Sequence, residues 1–172
     1  MSDFGSAKTK IKIGSLEVGY ETLVVAAQYN PKELQIDKSI PWSKVNEANK
    51  SNSGSDQSQG IHLEFTGAEG RTMSVEMFFD GYEPNGNKVD VAKKIKDLET
   101  LASVIQPGAL KEDLRRPHRC VVTYGKTIDS FRCVIESLST KYMMFDDGGN
   151  PLRATCTVKL KEADVVSMAK KT

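Results

Sequence analysis

The sequence contains few of the residue types from which reactive sites are built. Among its 172 residues are two histidines and three cysteines, and Cys120, Cys133 and Cys156 are widely spaced with no C-x-x-C pair. A set of this kind argues against both a disulfide framework and a thiolate zinc site. Each cysteine lies in an apolar, strand-like run, where a thiol behaves as a small hydrophobe. We therefore expect no catalytic residue, no metal site and no cofactor.

Long apolar runs and a strong net charge are also absent. No stretch approaches the roughly 20 apolar residues of a membrane helix, and the polar start MSDFGSAKTK does not resemble a secretory signal. The formal net charge is +1, which gives no overall attraction to nucleic acid. These features predict a chain that folds in the cytoplasm, with no membrane span and no nucleic-acid partner.

The remaining polar groups have simpler explanations than an active site. His62 and His118 do not belong to a ligand set, so both are expected to be exposed or at an interface. Residues 146–150 (DDGGN) do not follow the calcium-loop spacing and predict a turn. Residues 81–87 (GYEPNGN) lack the lysine that ends a phosphate-binding loop. An enzyme therefore ranks last among the functions considered, because no acid, base and nucleophile converge.

Alternation of apolar and polar residues predicts a mainly β protein. Apolar residues alternate in 61–65 and again in 73–79 on either side of a glycine-containing connection, which predicts a hairpin with one buried face. The pattern slips near Ser137, where we expect a bulge. Six to eight antiparallel strands should form a barrel or sandwich. The other predicted strands span residues 33–37, 120–124, 130–145 and 152–161.

One amphipathic helix is predicted over residues 90–106. Asp90 is a suitable N-cap, an apolar stripe runs at helical spacing from Val91 to Ile105, and Pro107-Gly108 should end the helix. Such a helix is expected to pack one face against the sheet or the end of the barrel.

The chain length suits one well-buried domain. We assign residues 1–20 to an N-terminal arm, 21–163 to the β domain and 164–172 to a C-terminal tail. Residues 43–60 are rich in serine, asparagine and glycine and have almost no apolar residues, so they predict a flexible loop. Deleting residues 46–59 is expected to leave a folded monomer that cannot assemble.

Two groups of residues are candidates for contacts between subunits. The connector after the helix is basic, and it is either a solvated surface or a contact to an acidic neighbour. The predicted loop 43–60 could become ordered on a neighbouring subunit. The outward residues of the last strand, from Arg153 to Lys161, could line a lumen or meet the next subunit. The candidate contact residues are Arg115, Arg116, Arg119, Asn46, Lys50 and Asp56.

Several motifs, in the same order along the chain, resemble the contractile injection system tube protein family. The resemblance covers about residues 28–162, and the ordered set of motifs is more specific than any single one. The matching motifs are residues 29–34 (YNPKEL), 39–42 (SIPW), 63–67 (LEFTG), 71–80 (RTMSVEMFFD), 131–139 (FRCVIESLS) and 151–154 (PLRA).

The resemblance implies a structural role in a phage-tail-like particle. Such proteins form a ring, a hexamer in the family, between the trimeric spike hub and the inner tube, and they help to initiate tube assembly. Baseplate and sheath components are further expected partners, in a particle assembled in the bacterial cytoplasm and sometimes released. Longer members carry a LysM-like domain, and the sequence stops soon after the last predicted strand, so we expect a short form. Two alternatives stay open, a small-molecule-binding β-barrel and another tube or baseplate subunit.

Overall fold

The computed structural model describes residues 9–45, 61–82 and 89–169. Within these ranges a short 3-10 turn, Glu112–Leu114, lies between the helix and the C-terminal strands. The strands and the helix, in chain order, are β1 (Lys12–Ser15), β2 (Val24–Ala26), β3 (Gln35–Asp37), β4 (Trp42–Lys44), β5 (Leu63–Phe65), β6 (Thr72–Asp80), α1 (Val91–Leu101), β7 (Cys120–Tyr124), β8 (Ile128–Phe145) and β9 (Pro151–Glu162).

Seven of these strands form one antiparallel sheet in the order β2-β1-β7-β8-β9-β6-β3. The prediction of a mainly β, antiparallel fold is confirmed. The predicted bulge is confirmed as well, since the register of β8 against β9 shifts between Ile135 and Ser137. The long strands β8 and β9 are central, whereas the edge strands β2 and β3 have three residues each.

The sheet does not close into a barrel, and this corrects the barrel prediction. Across the described residues, β2 pairs with β1 and β3 pairs with β6, and the two edge strands do not pair with each other. Helix α1 packs against β2, β6, β8 and β9. The helix therefore covers the inner face of an open sheet.

The core lies between this inner face and the helix. Every second residue of β6 is buried, and β9 presents buried residues directly opposite, as in the pair Met77 and Cys156. This confirms the predicted inward phase of both strands. The buried residues of the two strands are Met73, Val75, Met77, Phe79, Ala154, Cys156, Val158 and Leu160.

Helix α1 begins where the sequence predicts and ends earlier. The Lys93 amide donates a 3.0 Å hydrogen bond to Asp90 Oδ1, which confirms the N-cap. The helix ends at Leu101, before the predicted 106. The reason is a long-range pairing, because Val104 forms a β-bridge with Pro117 and the Ile105 amide donates to the Arg116 carbonyl.

Two predicted boundaries also change. Strand β1 lies inside the range assigned to the N-terminal arm, yet it pairs with both β2 and β7 and buries Ile13. Part of that range therefore belongs to the sheet. Ser43 and Lys44, assigned to the predicted loop, belong to strand β4. Most of that loop, residues 46–60, lies outside the described residues.

The predicted hairpin between residues 61–65 and 73–79 is wrong. Strand β6 already has a neighbour on each side, β9 and β3, so no edge is left for β5. Strand β5 pairs with β4 instead, in a separate two-stranded sheet in which Trp42 lies opposite Phe65. We call this β4–β5 pair the ribbon. Its apolar residues are exposed, contrary to the predicted buried face.

Candidate functional site

The ribbon holds aromatic side chains in solvent. Trp42 and Phe65 are 57% and 53% exposed, and their ring centroids are 5.5 Å apart. Backbone hydrogen bonds extend the pairing at both ends, from Val45 to His62 and from Thr66 to Pro41. Leu63 is also about half exposed. A two-stranded ribbon is marginal alone in water, and contiguous exposed apolar surface marks an interaction site.

The two edges of the main sheet are further candidate contacts. In β3 all three residues are exposed, and in β2 Val24 is exposed. An edge strand presents backbone N–H and C=O groups that can pair with a strand of another chain. The edges differ in sequence, so they offer two different surfaces.

An open groove of about 830 Å³ runs along the outer face of β6, beside the segment that leads into β3. One wall is a stacked aromatic pair, Tyr29 and Phe78, with ring centroids 6.0 Å apart. The floor and rim are polar and acidic in part. The lining residues are Tyr29, Asn30, Pro31, Lys32, Glu33, Gln35, Ser74, Glu76, Phe78 and Thr157.

Two amide side chains hold the wall of this groove in place. Gln28 donates to the Asp80 carbonyl at 2.9 Å and accepts from the Asp80 amide at 2.7 Å. Asn30 donates to the Thr9 carbonyl and accepts from the Ile11 amide. The motif at residues 29–34 is visible in the sequence, but these clamps are not, because their partners lie far away along the chain.

The predicted basic contact residues lie mostly against an acidic residue of the same chain. Arg116 is 8% exposed, and its Nη1 donates to Glu17 Oε1 at 2.8 Å. The Arg119 amide donates to the same carboxylate at 2.9 Å. Burial raises the pKa of Glu17, but these hydrogen bonds outweigh it and the pKa lies below its ordinary value. The predicted solvated connector is therefore partly buried.

The other candidate contact residues have separate positions. Arg115 is exposed and lies 3.4 Å from Glu112. Asn46, Lys50 and Asp56 lie outside the described residues. An inter-subunit role for these residues and for Arg116 and Arg119 stays a prediction.

His118 is buried, which corrects the prediction that it is exposed or at an interface. Its Nδ1 lies 2.8 Å from Ser15 Oγ, and the Tyr20 ring packs edge-on at 4.8 Å. The cause is the pairing of β1 with β7, which places Ser15 opposite Cys120 and so beside His118. Burial lowers the pKa of His118 below its ordinary value.

The Ser15–His118 pair has the spacing of a nucleophile and its base. Both side chains are buried, with Tyr20 packed against the imidazole. A substrate carbonyl has no open approach to the serine hydroxyl in this arrangement. The pair therefore ties strand β1 to the connector before β7.

The three thiols are buried in the core. Burial raises the pKa of Cys120 and of Cys133 to about 12, and it raises the pKa of Cys156 as well. Nucleophilic attack and metal binding both need the thiolate. Over residues 9–45, 61–82 and 89–169, no three histidine, cysteine, aspartate or glutamate side chains come together as metal ligands. No helix in this same part of the chain has the length and apolar character to cross a membrane.

The described residues thus leave the ribbon, the two sheet edges and the groove accessible at the surface. No curated protein matches the chain. The family described as contractile injection system tube protein matches residues 7–171, nearly the whole chain, and confirms the resemblance found in the motifs. The chain belongs to the contractile injection system tube protein family, and it is a structural component of such a system.

Proposed function

We propose that the protein forms a ring that connects the spike hub to the inner tube and initiates tube assembly. The ribbon carries this proposal, because it is folded and yet holds an aromatic pair outside the core. Exposed aromatic surface raises the free energy of the folded subunit in water. Burial of that surface against a neighbouring subunit removes this cost.

The unlike edges of the sheet support a cyclic arrangement. The edge strands β2 and β3 differ in sequence, so a contact that joins the β2 edge of one copy to the β3 edge of the next is head-to-tail. Head-to-tail contacts close into a ring when the rotation between copies divides a full turn. Six copies would match a hexameric tube, as the family resemblance implies.

The two ends of the sheet support a connecting role. The ribbon leaves the sheet where β6 begins, at Thr72, while the β8–β9 turn lies at the opposite end of these strands. That far end also carries exposed apolar side chains, among them Tyr142, Met144 and Phe145. The two ends of the sheet therefore differ, which suits two different neighbours, the hub at one end and the tube at the other. Baseplate and sheath components complete the proposed partners, and assembly is proposed to take place in the bacterial cytoplasm.

The alternative of a small-molecule-binding barrel has less support. A binding barrel needs a closed wall around a cavity, whereas the sheet is open and helix α1 occupies its inner face. The remaining alternative is that the protein occupies a different position in the tube or the baseplate. Reconstitution of the particle from purified proteins distinguishes this position from the proposed one.

The test is assembly of purified spike hub and inner tube protein with and without this protein, followed by negative-stain electron microscopy. We expect tubes capped by hubs only when the protein is present, and one extra ring at each junction. Tubes that grow on the hub equally well without it would contradict the proposed role. Extra rings found along the tube would assign it to the tube wall instead.

A further inference from the structure

We infer that the ribbon of one copy docks in the outer-face groove of the next copy, with Trp42 against the Tyr29–Phe78 pair and Lys44 against Glu76. The inference rests on the proposed function, since it names a contact through which copies assemble. It joins two surfaces that are accessible among the described residues, the aromatic ribbon and the groove beside β3.

The side-chain chemistry of the two surfaces is complementary. Successive strand residues point to opposite faces, so Trp42, Lys44, Leu63 and Phe65 share one face of the ribbon. That face carries aromatic rings and a lysine, whereas Glu64 lies on the other face. The groove offers an aromatic wall and two glutamates against one lysine. Aromatic side chains in a pocket are the usual anchors of protein interfaces.

The spacing of the two surfaces agrees as well. Lys44 and Trp42 are two residues apart on β4, and Glu76 and Phe78 are two residues apart on β6. Residues two apart on a strand are separated by about 7 Å on the same face. A ribbon laid along β6 therefore brings Lys44 to Glu76 when Trp42 reaches Phe78. Glu76 is exposed on this face and available to the lysine.

A second copy, and not the same chain, is the partner. The ribbon joins its own sheet close to the start of β6, and its aromatic pair stays solvent-exposed in the folded subunit. The groove that the described residues form is accessible at the same time. One ribbon and one groove per copy give a head-to-tail contact, which a ring or stacked rings can repeat.

The first experiment measures self-association of the full chain by light scattering over a range of concentrations. Trp42→Ala should raise the concentration for half-assembly by roughly 30-fold, the loss expected for an interface anchor. Leu110→Ala is the matched control, because Leu110 is fully exposed and belongs to neither the ribbon nor the groove lining. Assembly of the Trp42→Ala protein at the wild-type concentration overturns the contact.

The second experiment exchanges the charges. Lys44→Glu alone and Glu76→Lys alone should each weaken assembly by about tenfold or more, because like charges then meet. An equimolar mixture of the two variants should restore it, since each ribbon then faces a groove of opposite charge. Circular dichroism verifies that these exposed substitutions leave the fold intact. A mixture that assembles no better than its components overturns the contact.

Different results would contradict the proposed ring and the proposed contact between ribbon and groove. A wild-type chain that stays monomeric at every concentration, and forms no ring on the spike hub, overturns both the ring and the contact. A wild-type chain that forms rings while the charge exchange has no effect overturns the contact and leaves the ring role standing.

Discussion

Strands β6 and β5 carry similar alternating patterns and end in opposite environments. In β6, Met77 and Phe79 are fully buried against β9 and the helix, whereas in β5, Leu63 and Phe65 are about half exposed. Alternation specifies a strand with one apolar face, but it does not specify what covers that face. The apolar face of β6 is buried by residues of the same chain. We propose that the apolar face of β5 is buried by the next copy of the protein.

The largest expected effect compares one phenylalanine from each strand. Phe79→Ala should lower the free energy of unfolding by about 4 kcal/mol, because it leaves a cavity in the core. Phe65→Ala should change it by less than about 0.5 kcal/mol, because the ring is mostly in water. Urea unfolding of dilute, monomeric protein measures both. Equal losses for the two variants would show that the ribbon is part of the folded core.

The next effect concerns the buried ion pair. Glu17→Gln should destabilise the fold by about 3 kcal/mol, because it leaves the buried Arg116 without its carboxylate. Glu112→Gln is the matched control, since its partner Arg115 is exposed, and it should change stability by less than about 1 kcal/mol. The same urea measurement applies. A Glu17→Gln protein as stable as the control would mean that the ion pair between Glu17 and Arg116 does not stabilise the fold.

A smaller effect should appear as a pH dependence. Burial depresses the pKa of His118, so below about pH 6.5 the unfolded chain takes up a proton that the folded chain does not. Stability should therefore fall as pH drops below 6.5, by up to about 1.4 kcal/mol per pH unit, and level off below the folded pKa.

The pH effect is measured by urea unfolding between pH 7.5 and 5.5. The His118→Gln protein should lose this part of the slope, whereas the His62→Gln protein, changed at an exposed position just before β5, should keep it. A slope that survives the His118 substitution would assign the effect to another group.

The smallest effect is at the start of the helix. Asp90→Ala removes the acceptor of the Lys93 amide and should cost about 1 kcal/mol. Asp90→Asn should retain most of the cap and is the control. Thermal unfolding followed by circular dichroism compares the two. Equal losses in both variants would indicate that charge, and not the capping hydrogen bond, stabilises this end.

The features predictable from sequence are the local ones. The phase of β6 and β9, the bulge near Ser137 and the N-cap at Asp90 depend on neighbours in the chain, and the structure agrees with each. The helix end and the buried His118 depend on partners far away. Ser15, which lies beside His118, is 103 residues distant, and no local pattern reports such a pairing.

For the ribbon and the groove, too, local features are predictable from the sequence and long-range contacts are not. The motif around Asn30-Pro31 was visible in the sequence, but the groove it forms depends on the amide clamps of Gln28 and Asn30 to distant backbone groups. The sequence pattern wrongly predicted that residues 61–65 pair with β6. It could not show that β6 already pairs with β3 on one side and β9 on the other. Closure into a barrel was also expected wrongly, because it depends on how the two short edge strands are placed.

The most direct test uses Trp42, the single tryptophan of the chain. Its fluorescence reports the surroundings of the ribbon, first in the dilute monomer and then in rings assembled on the spike hub, after the emission of the hub alone has been subtracted. If a neighbouring copy covers the ribbon, the emission should shift to shorter wavelength on assembly and become protected from an aqueous quencher. Assembled rings in which the emission and the quenching match those of the monomer would contradict the account.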